Sequence, residues 1–328
     1  MLTLYKDKQQ TTISNNITDL MVNMLERDHF LTWLILEPAR DEEIKYFLSE
    51  HEEVLYYLFD DESLQEVGAV AICLQDLPEA VEWIAKHWGK NWFSFFVTKH
   101  DIVEVIKHMS SLCYLSSHNK MYLFRYYEPV TFSCWVNALK EVKRVDEALG
   151  VFSEIYVETP LPHLLMQYIL HDDMYTQQTI DLEDGLKGLS FSLSHREVYS
   201  PLLDNCWYMR QKEYEYLSPV SLYAFKIKLC KNLVETYHLL DRYTLTEVYT
   251  IINNEVSRAM KHSIVQKYLL AHFVNIYFEY PSFWKKSQHM IQKTLEKIEM
   301  DEVDRMEIIL QAISELEDEK NNEIKKGL

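Results

Sequence analysis

Trp88-Gly89-Lys90-Asn91-Trp92 runs straight into Phe93-Ser94-Phe95-Phe96-Val97, and this stretch decides how the first part of the chain is read. Trp92 to Val97 is nearly all apolar, the composition of a strand covered on both faces. A helix is expected next. Ile102, Val105, Ile106 and Met109 recur at helical spacing, and Thr98 and Asp101 have the spacing of a capping box. A second strand is expected from Met121 to Tyr127, within a segment that closes on Phe124-Arg125-Tyr126-Tyr127-Glu128-Pro129. Pro129 then starts a helix with Phe132, Trp135, Val136 and Leu139 along one side.

Upstream, residues 13–28 show helical periodicity, Phe30 to Leu36 reads as a buried strand, and Asp41 to Leu48 as a short helix. Val54 to Phe59 and Gly68 to Leu74 have the length and composition of strands. Pro78 opens a helix whose apolar face carries Ala80, Val81, Ile84, Ala85 and Trp88. Short strands alternating with short helices predict an α/β (α+β) N-terminal lobe, with a mixed or largely parallel sheet flanked by helices. Its core is expected at about 28–145, within a domain of residues 1–145. Residues 146–218, with strand-like runs at Val151 to Val157 and Leu164 to Ile180, read as a partly β linker or insert. Residues 219–328 read as an all-helical C-terminal lobe. Thr244-Leu245-Thr246-Glu247 is a capping box there, helices are expected over 220–240, 244–261 and 263–279, and Pro281 comes before two more at 283–299 and 301–323.

The 328 residues are 48% hydrophobic and 26% charged, the balance of a folded globular protein. Six Gly and eight Pro leave little material for phosphate-cradling loops or long flexible linkers. The formal charge of −18 disfavours the nucleic-acid backbone and anionic membrane surfaces, since both attract a positive field. The five cysteines include no CxxC pair and mostly sit in apolar runs, which fits a reducing compartment. The N-terminal residues lack the apolar core of a signal peptide, and no run is long enough to span a membrane. A cytoplasmic protein without membrane insertion is expected.

Signatures of catalysis are missing. There is no GxSxG elbow, no GxxxxGK[ST] loop and no GxGxxG after a strand. His51-Glu52-Glu53 begins like a zinc-protease helix, but Leu55 stands where the second histidine belongs. His100, Glu104 and His108 recur every four residues, yet a metal site needs about four converging groups, so they read as a solvated polar face. Asp172-Asp173 and Asp181 to Asp184 read as solvated turn residues. Neither cofactor nor metal is expected. Arg125 carries a sharper argument: sharing a strand face with Met121, Leu123 and Tyr127, it needs a carboxylate partner, with Glu37 and Glu128 as candidates. Such a pair either ties strand to helix or contacts a partner protein. Tyr126 and Tyr127 alternate faces, one expected inward and the other nearer solvent.

Together these segments resemble the adaptor-chaperones (Tap or TEC) that load toxic effectors onto the VgrG spike of the bacterial type VI secretion system. Leu34 to Asp41 resembles the family's first strand and turn, Leu58-Phe59-Asp60-Asp61 its "Leu-Phe-Asp-Gly" element, and Gly68 to Leu77 its next strand. Trp83 falls where the family often has a tryptophan, Trp92 to Thr98 fits the strand after "Trp-Gly", and His108 aligns with the histidine of a His-Leu-Arg. Phe124 to Pro129 aligns with the family's Phe-Arg-Tyr-Tyr-Asp-Pro-Arg. Arg258 to Ala271 and Phe278 to Trp284 are similar to the helices that follow the adaptor domain. The chain departs from the pattern at Glu37-Pro38, Ser110, Glu128 and Val130.

The resemblance implies a non-enzymatic adaptor whose partners are a cognate effector and the VgrG spike. Its partner-binding candidates are Trp83, Trp92, His108, Arg125, Tyr126, Tyr127 and Glu128. Two other classes remain open on the residues alone. One is an enzyme with a noncontiguous polar site around Arg125 and His108; the other is an immunity-type protein that neutralises one toxin.

Overall fold

Strand β1 (Leu31–Leu36) forms where the apolar run predicts it, and its alternation organises the core. Leu34 and Leu36 point into one apolar cluster, Trp33 and Ile35 into another on the opposite face. The computed structural model describes residues 5, 7–117, 120–171, 174–187, 189, 191, 206–210, 213, 215, 217 and 220–326. They divide into two units, Met1–Ser221 and Leu222–Leu328.

The first unit is built on a seven-stranded sheet of order β2-β3-β1-β4-β7-β8-β9. The other strands are β2 (Leu55–Tyr57), β3 (Val70–Cys73), β4 (Ser94–Thr98), β7 (Glu154–Glu158), β8 (Leu164–His171) and β9 (Met174–Asp181). Every pairing in it is antiparallel, so the largely parallel alternative falls away. The continuous apolar runs that suggested parallel strands have another cause: helices cover both faces. Helices α1 (Asp7–Leu25), α2 (Glu42–Ser49) and α4 (Ala80–His87) pack on one side. On the other lie α5 (Ile102–Cys113) and α6 (Pro129–Val142). Each Leu, Ile or Phe so buried contributes about 1.5–3 kcal/mol. Helix α3 (Glu62–Gln65) is a single turn between β2 and β3. The mixed pairing sits in a small second sheet, where β5 (Tyr114–Ser117) pairs antiparallel with β6 (Lys120–Leu123) and parallel with β10 (Trp207–Tyr208).

Several boundaries differ from expectation for local reasons. The strand expected over Met121–Tyr127 ends at Leu123. Helix α5 is capped by Asp101, whose carboxylate accepts the Glu104 N–H at 3.0 Å, while Thr98 donates its hydroxyl to Val151 O at 2.6 Å. The segment 146–218 supplies all but the first residue of helix α7 (Val145–Leu149) and strands β7 to β9, which extend the sheet of β1 directly. Cys73, Cys113 and Cys230 are buried, and burial pushes the thiols of Cys73 and Cys230 up to about 11 and about 12, so they behave as small hydrophobes.

The return of β10 is locked by Arg144, which is buried at the α6–α7 junction. Its guanidinium donates to both oxygens of Glu147, to Glu213 at 2.6 Å and to Tyr208 O at 2.8 Å. It also lies 3.9 Å from the Trp207 ring centre. Trp207 Nε1–H in turn donates to Glu213 at 3.0 Å.

The second unit is helical, with α8 (Val220–Tyr237), α9 (Leu245–Lys261), α10 (Lys267–Glu279), α11 (Pro281–Lys286), α12 (Gln288–Leu295) and α13 (Glu302–Lys326). Thr244 and Glu247 form the expected capping box. Helix α10 starts at Lys267 rather than at 263, because Ser263 is left-handed with φ 62°. Arg305, buried, donates to the carbonyls of His262 and Leu295 and ties these helix ends together.

Arg144→Ala leaves the buried Glu213 carboxylate without its cation. Urea unfolding followed by tryptophan fluorescence should show the first unit destabilised by about 3–5 kcal/mol. A loss under about 1 kcal/mol, the range of exposed pairs, would show that the cluster is not a lock.

Candidate functional site

The Trp88–Trp92 turn joins α4 to β4 and positions a ladder of mostly buried rings. Its backbone needs left-handed conformations at Gly89 (φ 91°) and Asn91 (φ 60°), the first of which suits glycine alone. Such a turn leaves N–H groups pointing inward. Glu158, at the end of β7 and buried, accepts them: Gly89 at 2.5 Å, Trp92 at 2.7 Å and Phe93 at 3.1 Å. Trp88 Nε1–H donates to Pro162 O at 2.8 Å, closing the turn against the β7–β8 connection.

Outside the turn runs a ladder of rings. Phe47 stacks on Trp83 at 4.1 Å between centroids, Trp83 meets His87 at 4.5 Å, and His87 stacks on Trp92 at 5.8 Å. The Lys90 ammonium stands 4.3 Å over the Trp92 ring and pairs with Glu43, whose carboxylate also lies 3.6 Å from His87. The exposed Lys90–Glu43 pair thus caps the buried Trp92 ring.

Arg40 connects this ladder to the Arg125 segment. It donates to Asn91 O at 2.8 Å and lies 3.4 Å from Glu128, which itself accepts from Thr131 at 2.9 Å. Arg125 pairs with Glu37, one of the two partners anticipated. The burial is opposite to expectation, however: the Arg125 side chain is largely exposed and Glu37 is the buried member. Burial raises the Glu37 carboxyl, against the pull of Arg125.

The residues anticipated as partner contacts therefore separate. Arg125, Glu128 and Trp83 reach the surface, and Trp92 shows only its edge. His108, Tyr126 and Tyr127 lie in the core. His108 is not part of a solvated face: α5 turns it inward, its Nε2 bonds Ala148 O at 2.8 Å, and burial lowers its pKa to about 4. His100 stays nearer the surface, 3.1 Å from Glu104, so the helical trio does not converge. Among the described residues no group of three His, Cys, Asp or Glu is placed to hold a metal ion. Tyr126 and Tyr127 do not divide between interior and solvent; both are buried, 5.5 Å apart, because the backbone has left the strand by Leu123 and its alternation ends there. Asp181 accepts the Glu183 N–H at 2.9 Å in a turn, while Asp172 and Asp173 lie outside the described residues.

Sequence reasoning missed Glu158, Arg40, Glu43 and Phe47. The one usable signal was for Glu158. A Gly- and Asn-containing turn between two apolar segments has inward N–H groups, and an acid at the end of an apolar strand can accept them.

Residues 32–145 match the family model described as Domain of unknown function (DUF4123). The match runs from Thr32 in β1 to Val145 and covers every residue of the ladder and of the Arg40 network. Comparison with curated proteins finds no match, and comparison with solved structures finds none either. No helix among the described residues is long and apolar enough to cross a membrane.

Two buried groups give opposing pH dependences. Burial raises the Glu158 carboxyl from its usual 4.5 to about 7, against backbone N–H donors that favour its charged form. The folded state therefore holds the extra proton, and this contribution to stability falls as pH rises from about 4.5 to 7. His108 is lowered from 6.5 to about 4, so the unfolded chain holds the extra proton and stability rises with pH across about 4 to 6.5. In thermal melts from pH 5 to 7, Glu158→Gln should show a steeper rise than wild type, and His108→Gln a fall. Parallel slopes in all three proteins would contradict this assignment.

Proposed function

We propose that this chain is an adaptor that holds a cognate toxic effector and helps load it onto the VgrG spike of a type VI secretion system, by protein–protein binding without catalysis. The carrying observation is the family match over residues 32–145, a family associated with effector-loading adaptors. The chain's own residues support it in kind. Trp83, held by the buried rings of Phe47, His87 and Trp92, and the Arg40–Glu128 and Arg125–Glu37 pairs place rigid aromatic and ionic groups on neighbouring elements. Aromatic and arginine side chains of this sort are the usual anchors of protein interfaces.

The adaptor acts by mass action: it stabilises the client's bound form in proportion to its concentration over the dissociation constant. A net charge of −18 favours clients with basic segments. The rival polar site around Arg125 and His108 finds no support in the geometry, since Arg125 is committed to Glu37 at the surface and His108 to Ala148 in the core.

Affinity purification of the tagged chain from its native bacterium, followed by mass spectrometry, should recover a large toxin and a VgrG-type spike protein. Deleting the gene should abolish export of that toxin while leaving the secretion apparatus able to fire. Unchanged toxin export in the deletion strain would reject the adaptor reading.

A further inference from the structure

Strand β2 ends the seven-stranded sheet, and among the described residues no strand pairs with its outer edge. Leu58 N–H bonds Ala69 O at 3.2 Å in the continuation of the β2–β3 ladder. Hydrogen-bonded pairs alternate in an antiparallel ladder, so Tyr57, opposite Val70, turns its own N–H and C=O away from β3 toward the open side. Edge strands are normally blunted by short length, charged side chains, Pro or a bulge. Strand β2 is short, three residues, but Leu55-Tyr56-Tyr57 has no charged residue or Pro, and its register with β3 is continuous.

A groove lies beside this edge on each face of the sheet. On the α2 side, about 440 Å³ is lined by Leu48, Leu55, Tyr57 and Val67 among others. On the α5 side, about 490 Å³ is lined by Tyr56, Tyr57, Val103, Ile106 and Tyr114. Tyr57 lines both grooves, and it and Val103 are 42% and 76% exposed. Successive side chains of an added strand point to opposite faces, so two grooves meeting at one edge residue suit an extended chain better than a helix.

Charge indicates the occupant. From residue 46 to 85 the chain contains no Lys or Arg; each groove has one lysine in its wall, Lys45 and Lys107, set against Glu52, Glu66 and Asp60. Glu52, Glu53, Asp60, Asp61, Glu62 and Glu66, immediately before and after β2, are all exposed. With a Debye length of about 8 Å at physiological salt, acids this close to the edge act on any chain lying along it.

We propose that the open edge of β2 binds a basic, extended segment of the client protein, which adds to the sheet as a further strand and seats alternate side chains in the two grooves. This deepens the adaptor reading and rests on it for the identity of the client. Backbone pairing supplies affinity without sequence demand, while the grooves and acidic rim select apolar–basic alternation.

The test is fluorescence anisotropy with a labelled peptide of alternating Lys and Val against the full chain. A block peptide of the same composition and a Glu–Val alternating peptide serve as comparisons. The alternating basic peptide should bind with salt-dependent affinity, about tenfold tighter than the block peptide, with no binding of the acidic one. Tyr57→Lys and Val103→Lys, both at exposed positions, should each weaken it about tenfold, while Thr176→Lys on the opposite edge strand β9 leaves it unchanged. Equal binding of alternating and block peptides, or wild-type affinity in Tyr57→Lys with a wild-type melting curve, overturns the assignment. The same proteins then enter the purification from the native bacterium. If wild type captures no toxin, the adaptor reading fails. If wild type and Tyr57→Lys capture the toxin equally, the β2 assignment alone fails.

Discussion

The buried carboxyl group of Glu158 is the acceptor on which the aromatic ladder of the first unit depends. It accepts the backbone N–H groups that the left-handed residues Gly89 and Asn91 turn inward, and each such group left unpaired would cost about 1–3 kcal/mol. The turn so held fixes three things at once. It sets Trp92 beneath the Lys90 ammonium, aligns it with His87 and Trp83, and aims the Asn91 carbonyl at Arg40. Through Arg40 the same constraint reaches Glu128 at the head of α6. A single acid at the end of a strand thus organises contacts among α2, α4, β4 and α6.

That acid lies outside the region that matches the family model, as do Glu213 and Trp207, which complete the Arg144 cluster. Residues 32–145 are therefore finished by the chain that follows them. Strand β7 supplies both a hydrogen-bonded neighbour for β4 and the acceptor for the turn preceding it. Without β7, β4 would be an edge strand and the turn would lose its acceptor.

Much of the fold was legible because it rests on local periodicity. The apolar runs at 31–36, 70–73 and 94–98, and the helical spacing of Phe132, Trp135, Val136 and Leu139, specify their elements by burial alone. The capping box at Thr244 and Glu247 reads directly, since four consecutive residues contain the whole interaction. The site was less legible. The pairing of Arg125 with Glu37 followed from a desolvation argument, but which member is buried depends on where β6 ends. His108 looked polar and solvated by residue type, and is interior because α5 packs that face against Phe152 and the Ala148 carbonyl.

By itself the sequence determined where most of the strands and helices lie, the change from a sheet-bearing part to a helical part, and an acidic chain without a contiguous catalytic motif. Those properties depend on composition and on periods of two and 3.6, which neighbours in sequence carry. Strand direction, the order that leaves β2 at an edge, and the meeting of Glu158 with the Trp88–Trp92 turn were decided only in the tertiary structure. Each joins residues that are distant along the chain or equally compatible with either direction, and pattern within a segment contains no information about its partner.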